Sequence, residues 1–187
     1  MPGKVIGAIA KLADPVYNWK HELRQYVGRK FGGKRVTYSR RNRRRRMFGM
    51  PGKSSHASAP LTIAVDTSAS VDAARLEQFM TEIESMSQRF KITLMQFDHG
   101  YQCHGRYHRG DWEKIEIKGR GGTSFIAAFQ ALEEKQLWGR VTIICTDGEA
   151  PWPEEPDGRD VMWIIFPHKP IKDAPKPPFG STIYIER

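Results

Sequence analysis

The chain is short of cysteine, with two in 187 residues, Cys103 and Cys145, far apart and in different kinds of segment. That excludes a disulfide framework and fits a reducing cytosol. Long apolar runs are also missing. No stretch reaches the roughly 18 residues that a membrane span needs. Val5 to Leu12 is short and broken by Gly7 and Lys11, which does not make a secretory leader. The expectation is a soluble, cytoplasmic protein without membrane contact. Acids are nearly absent from the first third, where residues 1–60 carry 15 Lys and Arg but only Asp14 and Glu22. Net charge is +13 there and −4 over residues 61–187, against +9 for the whole chain. The basicity therefore belongs to the N-terminal part, which suits an acidic partner, protein or nucleic acid. The remainder reads as a mildly acidic globular domain, long enough to bury a core without staples.

Two parts follow from this division. Residues 1–59 form a basic helix and an Arg-rich connector, and residues 60–187 form the globular domain. In PVYNWKHELRQYVGRKF (15–31), Val16, Trp19, Leu23, Tyr26 and Val27 recur at helical spacing, and Gly32-Gly33 ends the pattern. Residues 34–59 hold the arginine run and then Gly, Pro and Ser, which predicts a mostly irregular connector. From Leu61 the pattern is regular. LTIAV (61–65), ITLMQF (92–97), VTIIC (141–145), VMWIIF (161–166) and STIYIE (181–186) read as strands. Residues 71–90 read as a helix with Leu76, Phe79, Met80, Ile83 and Met86 on one face, and residues 125–137 as another. Asp98-His99-Gly100 is a turn signal, with a returning antiparallel strand over 101–108. Strands alternating with helices predict an α/β domain with a mainly parallel sheet.

The stretch IAVDTSASVD (63–72) ends an apolar run in a cluster of oxygens. Asp66 stands at the end of the first core strand, and Asp147 follows the third in VTIICTDG. Between them GRGGTSF (119–125) supplies Thr123 just before a helix. Ligands of open α/β sheets sit at the carboxyl ends of the strands. Two carboxylates with the hydroxyls of Ser68, Ser70 and Thr123 are hard oxygen donors. They suit Mg²⁺ or Mn²⁺ and not zinc, which favours nitrogen and sulfur.

Asp66-x-Ser68-x-Ser70, the later Thr123 and Thr146-Asp147-Gly148 resemble the metal-ion-dependent adhesion site of von Willebrand factor A (VWA) domains. The resemblance covers roughly residues 60–187 and implies a Rossmann-like fold. It further implies that Ser68 and Ser70 bind Mg²⁺ directly, Thr123 directly or through water, and Asp66 and Asp147 mostly through water. The open position of the ion takes a carboxylate from a protein partner. More narrowly, the Trp19…Leu23 helix, the Arg-rich element, GRGGTSF and TDGEAPWP look like a bacterial VWA-like family whose full-length members carry a metallopeptidase-like domain with an HExxH helix. Here His21-Glu22-Leu23-Arg24-Gln25 lacks the second histidine, so no proteolysis is carried over and no enzyme is expected. Similar domains in bacteria and phages work beside MoxR-type AAA+ ATPases as adaptors or co-chaperones, and that is the partner the resemblance implies.

Other motifs are weaker. GMPGKSS (49–55) lacks the first glycine of a phosphate loop, with Met47 in its place, and reads as connector. His99, Cys103, His104 and His108 include good zinc ligands, but Cys103 and His104 point to opposite faces of a strand, which favours a solvated hairpin. Arg43, Arg44, Arg45 and Arg46 end a run expected to contact protein or pack on the domain; the alternative is a nucleic-acid-binding protein acting through this cluster, the second choice since base-stacking aromatics are not interleaved. Trp112, Trp138 and Trp163 are expected in core or rim packing. Trp152, in PWPEEP after Asp147, is placed near the metal rim, where it shapes a partner groove.

Overall fold

The computed structural model describes residues 18–31, 34–41, 50–55, 60–69, 71, 73–116 and 121–185. In chain order these form α1 (Trp19–Phe31), β1 (Lys34–Arg41), β2 (Pro51–Ser55), β3 (Pro60–Asp66), α2 (Ala73–Ser87), β4 (Lys91–Phe97), β5 (Tyr101–Tyr107), α3 (Phe125–Glu134), β6 (Val141–Thr146), β7 (Val161–Ile165) and β8 (Ser181–Tyr184), with 3-10 turns at Asp111–Lys114 and Ile171–Asp173. The run of 43–46 lies outside the described residues. The connector expectation needs correction, because β1 and β2 pair as an antiparallel ribbon. The alternation in RVTYS (35–39), with β-branched and aromatic residues, supports a strand, and the surrounding charge masked that signal.

The main sheet has the order β5-β4-β3-β6-β7-β8. Numbered within the sheet this is 3-2-1-4-5-6, the order of doubly wound dinucleotide-binding sheets. All pairings are parallel except β4 with β5. β3 and β6 lie at the centre with every residue but Pro60 buried, which is why both read as unbroken apolar runs and not as alternation. The strand order reverses between them, β3 to β5 being laid down to one side and β6 to β8 to the other, so a crevice opens at the carboxyl ends of β3 and β6.

Two cores lie on the two faces. On one, Leu61, Ile63, Val65, Ile143 and Ile164 meet Leu76, Phe79, Ile83 and Met86 of α2 and Trp19, Leu23, Val27 and Phe31 of α1. On the other, Ala64, Met95, Ile144 and Trp163 meet Phe125, Phe129 and Leu132 of α3. Neither connection from β6 to β7 nor from β7 to β8 contains an α-helix. The sheet still needs cover there, and α1 supplies it by packing against β8. Asn18 starts α1 by accepting the His21 N–H at 3.1 Å. Arg24 of α1 donates to both oxygens of Glu82 in α2, at 2.5 and 2.8 Å, and Lys30 pairs with Asp160. Glu82 is 2% exposed, so this forked contact answers a carboxylate that burial would otherwise penalise.

Candidate oxygen-rich site at the sheet crevice

Asp66 closes β3 and is fully buried. Its Oδ2 accepts the Thr146 hydroxyl at 2.7 Å and the Thr123 hydroxyl at 3.3 Å. Its Oδ1 accepts the Ser68 N–H at 2.9 Å. Burial raises the Asp66 pKa above its ordinary value, and the charge of Asp147 adds to that; hydrogen bonds from Thr146 and Ser68, including the Ser68 hydroxyl, oppose it. A hydroxyl that donates its proton to Asp66 keeps its lone pairs for another acceptor role, including a cation. The chemistry of this donor set therefore fits a hard divalent ion: hydroxyl oxygens around one buried carboxylate, with a second buried carboxylate beside it.

Backbone ties hold the three loops together. The Thr67 N–H and hydroxyl both donate to the Phe97 carbonyl, at 2.8 and 3.0 Å, which fixes the end of β3 to the end of β4. The Ala69 N–H reaches the Gly121 carbonyl at 3.4 Å. Ser124 caps α3, its hydroxyl accepting the Ala127 N–H, and its own N–H donates to the Asp98 carbonyl at 2.9 Å. Thr123 is thus carried on a segment anchored at both sides. Thr146 is oriented in turn, because its oxygen accepts the Gly148 N–H at 3.1 Å. Gly148 has φ +82 and a Cβ there would lie 3.1 Å from Pro175, so the turn after Asp147 requires glycine.

The sequence reading did not assign Asp98 a role. It is 2% exposed and accepts N–H groups from Gly100 and Gly121 and the Gln102 amide. Burial pushes its pKa up, but the hydrogen bonds from Gln102, Gly100 and Gly121, with His99 nearby, outweigh that and leave it lowered. The only signal was the turn chemistry of Asp-His-Gly. Asp98→Ala is expected to destabilise the fold by about 1–3 kcal/mol, the loss for buried donors left without an acceptor. Amide hydrogen exchange should accelerate most at Gly121 and Thr123; unchanged exchange there would show that Asp98 does not hold the loop.

The structure brings Asp66, Ser68, Thr123 and Asp147 to one crevice, with Thr146 added. Ser70 and Arg43 to Arg46 lie outside the described residues. Trp152 stacks on Phe125 at 5.2 Å between centroids and meets Trp163 edge-on at 5.1 Å, so much of its ring serves the second core. Trp163 is fully buried and Trp138 packs on Phe129, whereas Trp112 is 54% exposed and departs from the packing expectation. The hairpin ligands are engaged separately: His99 beside Asp98, His104 with the Tyr101 hydroxyl, His108 beside Asp111. Two residues absent from the sequence reading stand next to Asp147, namely Glu149 and His168. Nothing in their spacing along the chain marks them, since they meet only because β6 and β7 are neighbours.

Comparison with known proteins agrees with this architecture. Residues 61–186 match the family model described as "VWA-like domain (DUF2201)". An uncharacterised protein of Thermotoga maritima is 31% identical over 144 residues, covering 76% of this chain and 36% of that protein. The chain thus spans little more than a third of that relative's length. Among solved structures, an aerotolerance-related membrane protein from Bacteroides fragilis is similar with a TM-score of 0.42 and 20% identity, covering 62% of this chain and 74% of that one. BatB, a conserved hypothetical protein from Bacteroides thetaiotaomicron, has a TM-score of 0.43 and 19% identity, covering 58% and 66%. No helix among the described residues is long and apolar enough to cross a membrane. The sheet order, the crevice between β3 and β6 and the match over residues 61–186 lead to one conclusion: the chain belongs to the VWA-like domain family.

Proposed function

We propose that this domain is a Mg²⁺-dependent protein-interaction module. VWA-like domains are commonly protein-interaction modules. The observation that carries the metal dependence is the state of Asp66: a fully buried carboxylate, ringed by the hydroxyls of Ser68, Thr123 and Thr146, whose ionised form is disfavoured by burial and by Asp147. Ser68 and Thr123 would hold the ion, with Ser70 from the sequence motif, and Asp66 and Asp147 would supply the negative charge. When bound, Mg²⁺ supplies a Lewis-acidic position for a carboxylate of the partner. Asp66 orients the hydroxyls by accepting their hydrogen bonds, and Thr67 and Ala69 hold the loop in register with β4 and Gly121. The partner class is a protein presenting Asp or Glu, and a MoxR-type AAA+ ATPase is the proposed example. This reading assigns binding and not catalysis.

Calorimetric titration of the folded protein with Mg²⁺ and with Mn²⁺ tests the first half. About one ion per chain is expected, and a flat titration with folded protein would refute the metal dependence. Capture of a MoxR-type ATPase with and without chelator tests the second. Capture that survives chelation would remove the ion from the interaction.

A further inference from the structure

Beside the oxygen cluster lies a different set of donors. Asp147 is 1% exposed, and its two carboxylate oxygens are used unequally. Oδ1 accepts the Glu149 N–H at 3.0 Å. Oδ2 is buried and has no hydrogen-bond partner. It faces His168, whose Nε2 stands 3.5 Å away. Asp147, Glu149 and His168 each offer one ligand atom, and the three atoms lie within 4.8 Å of one another. A buried carboxylate oxygen left unpaired is unfavourable unless a charge completes it.

From this arrangement we infer that Asp147, Glu149 and His168 form a second cation site, one for a first-row transition metal of the zinc class. An imidazole nitrogen with two carboxylates is a donor set that zinc, cobalt and manganese accept; Mg²⁺ keeps to oxygen and water. Bonds of about 2.0–2.2 Å bring such ligand atoms to roughly 3.3 Å apart. Glu149 and His168 are exposed side chains, so rotation closes the remaining gap while Asp147 stays in place. The three protein ligands leave a further position open to water or to a partner group.

The fold prepares this site. Asp147 and Glu149 flank Gly148, whose left-handed backbone turns the chain after β6. His168 follows β7, and the Phe166 N–H donates to the Thr146 carbonyl at 2.9 Å, which fixes the two strand ends side by side. Neither connection has an α-helix to stiffen it. An ion here staples the loop after β6 to the loop after β7 and holds Asp147 at the crevice rim. The inference shares Asp147 with the Mg²⁺ reading but does not rest on the hydroxyl cluster around Asp66.

The test uses the whole chain and cobalt as the probe. Co²⁺ titration is followed by visible absorption and by paramagnetically shifted histidine ring protons, in wild type, His168→Ala, His168→Gln, Glu149→Gln and Asp66→Ala, each checked by circular dichroism. Wild type is expected to bind Co²⁺ with a histidine ligand and to keep it in excess Mg²⁺. Both His168 variants should weaken binding by about tenfold or more, since even supporting groups around a metal are worth about 10–100-fold. Asp66→Ala should retain the histidine-ligated ion. Zn²⁺ should raise the melting temperature of wild type and not of His168→Ala. Equal Co²⁺ affinity in wild type and both His168 variants overturns the site. So does Co²⁺ that is lost in Asp66→Ala and displaced by Mg²⁺, a result that leaves the Mg²⁺ reading standing. Failure of Mg²⁺ binding with histidine-ligated Co²⁺ intact has the opposite meaning.

Discussion

Asp66→Asn is expected to abolish the Mg²⁺-dependent rise in melting temperature while leaving the metal-free fold within about 1 kcal/mol of wild type. An ion that binds only the native state stabilises it by mass action, about 2.7 kcal/mol at a hundred times its dissociation constant. For a domain of this size that corresponds to about 5–10 °C. The substitution is nearly isosteric, so no cavity opens at the end of β3. Asparagine still accepts hydrogen bonds through one oxygen, from among the Thr146 hydroxyl and the Ser68 N–H that now serve Asp66. What disappears is a charge that burial already disfavours. Losing it removes a desolvation penalty, which offsets the donor left unpaired. Thermal scans with and without Mg²⁺, paired with calorimetry, read both effects. A full Mg²⁺ shift in the variant would show that the ion, if bound, sits elsewhere.

The second large effect concerns α1. Residues 60–187 alone are expected to give no cooperative unfolding transition. Trp19, Leu23, Val27 and Phe31 are all at most 9% exposed and share one core with the sheet. Burying each contributes about 1.5–3 kcal/mol, so the helix accounts for roughly 6–12 kcal/mol. Whole domains are stable by only about 5–15 kcal/mol. Removing α1 also bares Met162, Ile164 and Ile183 near β8, where no crossover helix takes its place. Leu23→Ala gives the graded version, with about 2–5 kcal/mol lost to a core cavity. Denaturant titration of the shortened chain decides the matter. A sharp transition near the full-length midpoint would mean that α1 is an ornament on a self-sufficient sheet.

The amino-acid sequence by itself determined the elements of the main sheet and the polarity of its end. Unbroken apolar runs such as LTIAV and VTIIC mark strands buried on both faces, and Leu76, Phe79, Ile83 and Met86 mark one face of a helix. Asp66 and Asp147 were legible as strand-end carboxylates because a charge after such a run must leave the core or be answered within it. Other features depend on contacts between distant segments, which local pattern does not encode. The ribbon of β1 and β2 was hidden by its arginines. The position of α1 follows from a gap in helical cover over β8, and that gap appears only once the two helix-free connections are laid on the sheet. Asp98 became an anchor when Gly121 came back to it across 23 residues of chain. Glu149 and His168 are 19 residues apart and ordinary in sequence; the parallel pairing of β6 with β7 sets them beside the unpaired oxygen of Asp147. Periodicity is a property of one segment and its solvent, so sequence carries it. Adjacency is a property of two segments and the sheet order between them, and only the tertiary structure decides it.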